Sequence, residues 1–571
     1  MSELHSKRFA LAAAMMESVL RSQATLLTQN QSPKSCGLIV ISGSGTSGRL
    51  AFLLALEFNR ILVAQGLYPC FRHLIAGGDR AILKSAERAE DQSRQGTLDL
   101  LNVIAANEIP VSQVVYVGVT CGLTATFVGA QLDYCQQQYL KQQQRKLQPM
   151  QPEADETGPA PISYRMILLG FNPVSSMKDI RIANWDRTFR EVVIDFQRIA
   201  ADHPEDAVIL NPCVGPEAIC GSTRMKGGSA TKILLEALAA TALTSFLGSR
   251  EAPSAAQKET TDDSGRGSDM LLQFQRCYVD TYQELTNANS TATVDESRPK
   301  FSDIVNAAST ALRHPEGRIV YLGERKPGIL AVIDASECPP TYNALFDDIR
   351  GYISRGWKEF YRDFDFEQRS SKEETGKVSV SPDIESRIPL SVDAFLSTLD
   401  SKNSDSRPLL PTDLVIVLDV HNSSQSSPHA FSQTTIARLK DAGLQCQLAV
   451  LAVHHQGDGD AAAALGAVNT PLVTSVGLPN LNLLALPQSC PVCDDGLLAD
   501  FAIKLMLNAI STIAHVQKGT VFTNRMVNLR VSNVKLFHRA AGLVADLSRH
   551  PLEQVCSTFC DSYNSVLSGC F

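Results

Sequence analysis

One stretch constrains this chain more than any other: Leu38-Ile-Val-Ile-Ser-Gly-Ser-Gly-Thr-Ser-Gly-Arg49. Four apolar residues in a row read as a strand buried on both faces, and the glycines break it. The apolar run Leu50 to Leu56 then resumes as a helix. A strand that turns through glycines straight into a helix leaves backbone N–H groups pointing outward, which suits a phosphate. The hydroxyls of Ser42, Ser44, Thr46 and Ser47 add further donors. Gly43, Gly45 and Gly48 also fit the dinucleotide pattern G-x-G-x-x-G, a weak signal alone. That pattern calls for an acidic residue closing the next strand, yet Phe71 to Ile75 runs into Ala76-Gly-Gly78 before Asp79. The hydroxyl-rich loop therefore favours a phosphomonoester such as a sugar phosphate. A tight turn with no ligand would carry the same glycines.

The same unit recurs. Val114 to Val119 reads as another buried strand, followed by Thr120-Cys-Gly-Leu-Thr124 and a helix from about Ala125 to Cys135. Between the two units, Ala81 to Gln95 reads as a charged helix with Glu87, Glu90 and Asp91. Strands alternating with helices imply a doubly wound parallel sheet whose ligands lie beyond the strand C-termini. Ile167 to Gly170 and Val208 to Leu210 continue the sheet. The motif from Gly215 to Thr231 then leads into a helix with Ile233, Leu234, Ala237, Leu238 and Thr241 on one stripe.

A second α/β pattern follows: Arg318 to Gly323, the helical start Ile329 to Asp334, and Asp413 to Val420 ending in the loop His421 to Ser427. Its first loop reads Gly-Glu-Arg-Lys-Pro-Gly328, so the glycine-rich phosphate loop is lost from the second copy. From Asp500 the pattern turns helical. Lys535 and Arg539 share one helix face at i and i+4, where they could close over an anion or form an ordinary solvated basic face.

A length of 571 residues suggests about three or four domains. The net charge of −8 and pI of about 5.8 give no argument for nucleic acid. Fourteen cysteines lack paired spacing; Cys490 and Cys493 form a lone C-x-x-C without a second pair to complete a zinc site. They read as reduced thiols of an intracellular protein, with no metal and no cofactor expected. The run Arg8 to Met16 resembles a signal core only until Glu17 and Arg21, so Met1 to Gln31 reads as an amphipathic helix packed on the first domain. No run approaches the roughly 20 apolar residues that span a bilayer.

The motifs Ser42–Arg49, Leu74–Arg80 and Gly221–Lys232 resemble the sugar isomerase (SIS) domains of two related groups. These are the glucokinase regulatory proteins of animals and the bacterial N-acetylmuramic acid 6-phosphate etherases. The resemblance runs on through Gly170–Ser175, Asn184–Arg190, Val332–Thr341, Asp348–Tyr352 and Leu529–Phe537. It implies an α/β fold of two tandem SIS domains, each a doubly wound, flavodoxin-like parallel sheet, plus a C-terminal all-helical cap. The expected division is an N-terminal helix over 1–31, a first SIS domain over 32–248 with an insertion at 136–163, and a linker at 249–269. A second SIS domain over 270–498 with an insertion at 368–383 and a cap over 499–571 complete it. Both insertions are expected to be surface segments without regular structure.

The regulatory resemblance implies an inhibitor of glucokinase that answers to fructose phosphates and is both cytoplasmic and nuclear. Fructose 6-phosphate would promote inhibition and fructose 1-phosphate would relieve it, with no role for nucleic acid or membrane. Gly45, Thr46 and Ser47 would hold the phosphate from the first loop, and Thr120, Cys121, Gly122 and Thr124 from the second. Glu90 and Glu337 would take sugar hydroxyls, while Lys535 and Arg539 would reach in from the cap. Leu484, Ala485 and Leu486 stand where the family presents a hydrophobic stretch to glucokinase. The etherase resemblance implies instead a lyase in which Glu90 removes the proton at C2 and Glu337 protonates the departing oxygen. Under that reading Glu57 is a helix-surface residue. An isomerase would need a base such as His73 or His421, neither with a carboxylate neighbour in sequence.

Overall fold

A computed structural model describes residues 3–27, 35–147, 161–251 (except 178 and 183), 263–286, 300–360, 388–399, 407–420, 429–455, 472–478 and 496–567 (except 530, 532 and 533). The first half contains α1 (Glu3–Leu27), β1 (Cys36–Gly43), α2 (Thr46–Ala64), β2 (Phe71–Ile75), α3 (Arg80–Leu83), α4 (Ser93–Ala105) and β3 (Val111–Val119). It continues through α5 (Thr126–Leu147), β4 (Ser163–Leu169), α6 (Phe189–Asp202), β5 (Ala207–Leu210) and α7 (Lys226–Glu251). Its five strands are all parallel in the order β2-β1-β3-β4-β5. After α8 (Asp263–Thr286) and α9 (Phe301–Arg313), the second half repeats the plan with β6 (Ile319–Gly323), α10 (Arg325–Tyr342) and β7 (Ile349–Ile353). With β8 (Leu414–Val420), β9 (Gln447–His455) and β10 (Leu472–Leu478) it builds a parallel sheet in the order β7-β6-β8-β9-β10. The two sheets therefore have one topology written twice.

Alternation along the buried strands sorts residues between two layers. Ile39, Ile41, Val115 and Val117 face a core shared with α1, α2 and α7, and that core continues into Ile319, Tyr321, Ile416 and Leu418 of the second sheet. Leu38, Val40, Val114 and Tyr116 face α4, α5 and α6 instead. The two halves thus meet through a common helical layer, in which α2 packs on α10.

Several expectations need correction. The charged helix over 81–95 is two short helices separated by a 3-10 turn at Glu87–Asp91. Gly77 and Gly78 have positive φ, and Ala86 packs so tightly on Gly77 that a Cβ there would lie 2.5 Å from it, so the chain doubles back. The 136–163 insertion is helical over its Gln-rich first part, because α5 runs on to Leu147. Tyr139 there donates to Asp206 Oδ2 at 3.2 Å. The 249–269 linker is entered from both sides by α7 and α8. The 368–383 insertion lies outside the described residues.

The helix Leu497–Lys518 is not part of the cap. It is buried in the shared layer, against α7, α8, α9 and α10. The cap itself is not all helical, since a two-stranded ribbon, β11 (Val521–Phe522) with β12 (Arg525–Met526), precedes the helices Val534–Ser548 and Leu552–Leu567. Two segments, Lys226–Gly248 and Leu497–Lys518, are long and apolar enough to cross a bilayer, contrary to expectation. Of their most apolar stretches, 78% and 83% respectively is buried inside the protein instead.

Candidate functional site

The opening loop is built as its glycines require. A Cβ on Gly43 would lie 2.6 Å from the Gly48 nitrogen, so strand end and helix start touch backbone to backbone. Gly45 takes φ +54° at the N-cap of α2, and no side chain caps that helix. The helix start opens on a cavity of about 400 Å³ beyond the C-terminal edge of the first sheet, where Gly45, Thr46, Ser47 and Arg49 form one wall. Buried Ser44 Oγ has no hydrogen-bond partner among the described residues.

Thr120 to Thr124 form the facing wall. Thr120 Oγ1 accepts from the Thr124 and Ala125 nitrogens at 3.3 and 3.5 Å, so this hydroxyl shapes its own turn. Cys121 is buried with its thiol 3.7 Å from both Ser47 Oγ and Thr231 Oγ1. Burial pushes that thiol up from its ordinary pKa, which leaves it a packing group rather than a nucleophile.

The second half closes the cavity with Glu337 of α10, and the 3-10 turn brings Glu90 to the same space. Glu337 is buried; desolvation raises its pKa against the opposing pull of Arg224, Arg49 and Lys504 and a hydrogen bond from Thr46. Its Oε1 has no partner among the described residues. Glu337 thus has one oxygen engaged by Thr46 and one able to accept a further hydrogen bond.

Beneath lies a buried polar network unforeseen from sequence. Arg224, in the cavity wall, reaches Asp334 Oδ1 at 3.2 Å and donates to Ser511 Oγ, with Cys338 Sγ at 3.3 Å. Its guanidinium also lies 5.6 Å over the Tyr342 ring. Asn508 donates to Asp334 at 2.6 Å, and Lys504 donates to Asn508 Oδ1 at 2.7 Å and the Arg224 carbonyl at 3.0 Å. Burial pulls the Lys504 ammonium down to about 8. Arg224 fell within the Gly221–Lys232 motif, but its partners stand more than a hundred residues away.

The cap helix Val534–Ser548 contributes His538 and Arg539. Gly221, at φ +88°, makes room for this: a Cβ there would lie 2.3 Å from Arg539 Cζ. The Cys220 nitrogen donates to the Asn524 carbonyl at 2.7 Å, fastening the ribbon to the Gly215–Thr231 motif. Gly45, Thr46, Ser47, Glu90, Thr120, Cys121, Gly122, Thr124, Glu337 and Arg539 therefore share one cavity. Lys535 lies on the same cap helix, but its side chain is outside the described residues. Leu484, Ala485 and Leu486 are outside them too, as are Cys490, Cys493 and His421. His73 does have a carboxylate partner, Asp79 at 2.9 Å, and lies away from the cavity wall. Among the described residues the cysteines are free thiols, and no group of three His, Cys, Asp or Glu could hold a metal ion.

Glu57 is not a surface residue. Gly43 and Gly48 have counterparts in Gly323 and Gly328, which approach each other equally closely, at a constant offset of 280 residues. The same offset carries Thr46 to Lys326 and Glu57 to Glu337. Glu337 approaches Thr46 of the first loop, while Glu57 approaches Lys326 of the second, with Oε1 3.0 Å from Nζ. Each composite site pairs a loop of one half with a carboxylate of the other.

Three stretches of the chain match domain families: residues 18–136 the glucokinase regulatory protein N-terminal SIS domain, 295–379 its second SIS domain, and 523–563 its C-terminal lid domain. Over 512 residues, the chain is 30% identical to the glucokinase regulatory protein of Rattus norvegicus, covering 90% of this chain and 68% of the relative. The chain belongs to the glucokinase regulatory protein family. The Homo sapiens member is 29% identical over 516 residues, with the same coverages. An N-acetylmuramic acid 6-phosphate etherase of Enterobacter sp. is 29% identical over only 215 residues, or 37% of this chain and 53% of the relative. The chain is thus a family member of regulators, with enzymes as distant relatives, and it has the tandem SIS domains and lid that the resemblance implied.

Proposed function

We propose that this protein inhibits glucokinase under the control of fructose phosphates held in the cavity, the 6-phosphate promoting inhibition and the 1-phosphate relieving it. The supporting observation is that one cavity is walled by both hydroxyl-bearing loops of the first SIS domain, by Glu337 of the second, and by His538 and Arg539 of the lid. The loops offer N–H and hydroxyl donors to a phosphate. Glu90 and Glu337 offer acceptors to sugar hydroxyls. A ligand spanning these groups touches both SIS domains and the lid, and two esters differing in phosphate position favour different lid placements through their differential contacts. The paired carboxylates are here ligand-holding groups rather than an acid and base.

The test is glucose phosphorylation by a glucokinase from the same source, titrated with this protein. Inhibition deepened by fructose 6-phosphate and reversed by fructose 1-phosphate is expected. Absence of inhibition at any concentration of either ester would overturn the proposal.

A further inference from the structure

We propose that Lys326 is a built-in ligand: its ammonium fills the second composite site, the counterpart of the open cavity, and clamps the two halves together there. The inference rests on reading the open cavity as the ligand site.

The equivalence is residue by residue. In the open site Thr46 lies beside Gly228 and Glu337, and a Cβ on Gly228 would lie 3.1 Å from Thr46 Cγ2. In the closed site Lys326 lies beside Asp500 and Glu57, at 3.3 and 3.0 Å. Gly228 and Asp500 correspond because each precedes by four residues a buried lysine, Lys232 or Lys504, that bonds the residue four further on, Glu236 or Asn508. Two changes thus separate the sites. Where a small hydroxyl and a glycine leave space, a long ammonium and a carboxylate fill it.

The chemistry fits a captive ligand. The side chains of Lys326, Glu57 and Asp500 are each no more than 5% exposed. Two carboxylates buried together repel unless a cation stands between them, and stranding either charge is strongly unfavourable. Lys232 and Glu236 are also nearby and buried as a bonded pair, so they balance one another. Each carboxylate has one oxygen met from within the chain and one without a partner among the described residues; what differs is the group that meets it, a small neutral hydroxyl of Thr46 at Glu337 and the Lys326 ammonium at Glu57. One composite site is filled by a side chain of the fold, and the other opens on the cavity.

The experiment is thermal unfolding of Lys326→Ala, with and without n-propylammonium, which replaces the Cγ, Cδ, Cε and Nζ atoms removed. Sodium chloride and tetramethylammonium at equal ionic strength are the controls. A fall in midpoint of at least ~3 °C is expected, with saturable recovery by n-propylammonium alone. An unchanged midpoint, or recovery no better than with sodium chloride, overturns the proposal. If Lys326→Ala is insoluble, the neutral triple variant Glu57→Gln, Lys326→Met, Asp500→Asn is expected to be soluble, and its failure also overturns it. Neither readout involves a sugar phosphate, so failure here leaves the proposed regulation standing and the reverse holds too.

Discussion

The Arg224–Asp334 pair fastens the floor of the cavity, and a double-mutant cycle measures how firmly. Both side chains are almost fully buried, at 1% and 2% exposure. Burial works against the Arg224 charge, but Asp334 together with Tyr342, Cys338 and Glu337 outweighs it and holds its pKa above the ordinary value. Arg224→Met strands an aspartate whose Oδ1 keeps Asn508 at 2.6 Å and Ser511 at 3.1 Å, while its Oδ2 has no partner among the described residues. Breaking a buried pair from one side costs about 3–5 kcal/mol. The two surviving neutral donors place the expected loss near the lower end, about 3 kcal/mol. Asp334→Asn strands the guanidinium at a similar cost. The double variant leaves no uncompensated charge, so it is expected to lose about 3 kcal/mol in all, a coupling of about 3 kcal/mol.

The chain has two tryptophans, Trp185 in the first half and Trp357 in the second. Urea unfolding of the Trp185→Phe and Trp357→Phe backgrounds reports each half separately. Because Arg224 belongs to the first half and Asp334 to α10 of the second, both reporters are expected to register the loss together. Additive single losses, within about 0.5 kcal/mol, would refute the reasoning. So would a loss confined to one reporter.

Four further outcomes are expected. Ser47→Ala removes a hydroxyl from the first loop and should weaken fructose phosphate binding about tenfold, measured by calorimetry. Gly221→Ala forces a side chain into a φ of +88° and against Arg539 Cζ, so it should displace the lid arginine and weaken ligand more than it lowers the melting point. Lys535→Ala should alter the ratio of affinities for the 1- and 6-phosphates, and equal losses for both would count against a role of the lid in discrimination. His515, stacked on Tyr342 at 4.3 Å, is pulled down to about 3 chiefly by burial. The unfolded chain then binds the extra proton below about pH 6.5, so the His515 contribution should fall as pH drops from 6.5 towards 3, and His515→Phe should flatten that part of the pH–stability curve.

The parts legible in the sequence were those with local causes. Buried apolar runs, glycines at strand ends and hydroxyls after them located the strands and both loops, and these positions do converge on one cavity. What escaped was set by packing at long range. Glu57 looks like a surface residue because α2 alone gives no sign of Lys326. The Gln-rich tail of α5 reads as unstructured because its composition is polar, yet the helix continues and Tyr139 anchors it to Asp206. Leu497–Lys518 followed a helical pattern and was grouped with the cap, although its neighbours place it in the middle of the molecule.

The repeated topology explains how such asymmetry can arise. Two copies of one SIS domain related by a two-fold axis necessarily form two identical composite sites, since any residue placed in one appears in the other. Joined in one chain, the copies are free to differ. Here Thr46 and Lys326 occupy one position in the two loops, as do Gly228 and Asp500 in the helices behind them. The carboxylate was kept in both, as Glu337 and Glu57. A buried carboxylate is tolerable only with a partner, so a site that holds no ligand needs an internal cation. Lys326 satisfies that requirement on one side. On the other, Thr46 meets one oxygen of Glu337 with Arg224, Arg49 and Lys504 nearby, and in the proposed function its Oε1 accepts from a sugar hydroxyl, which ties occupancy of the cavity to the way the halves are held.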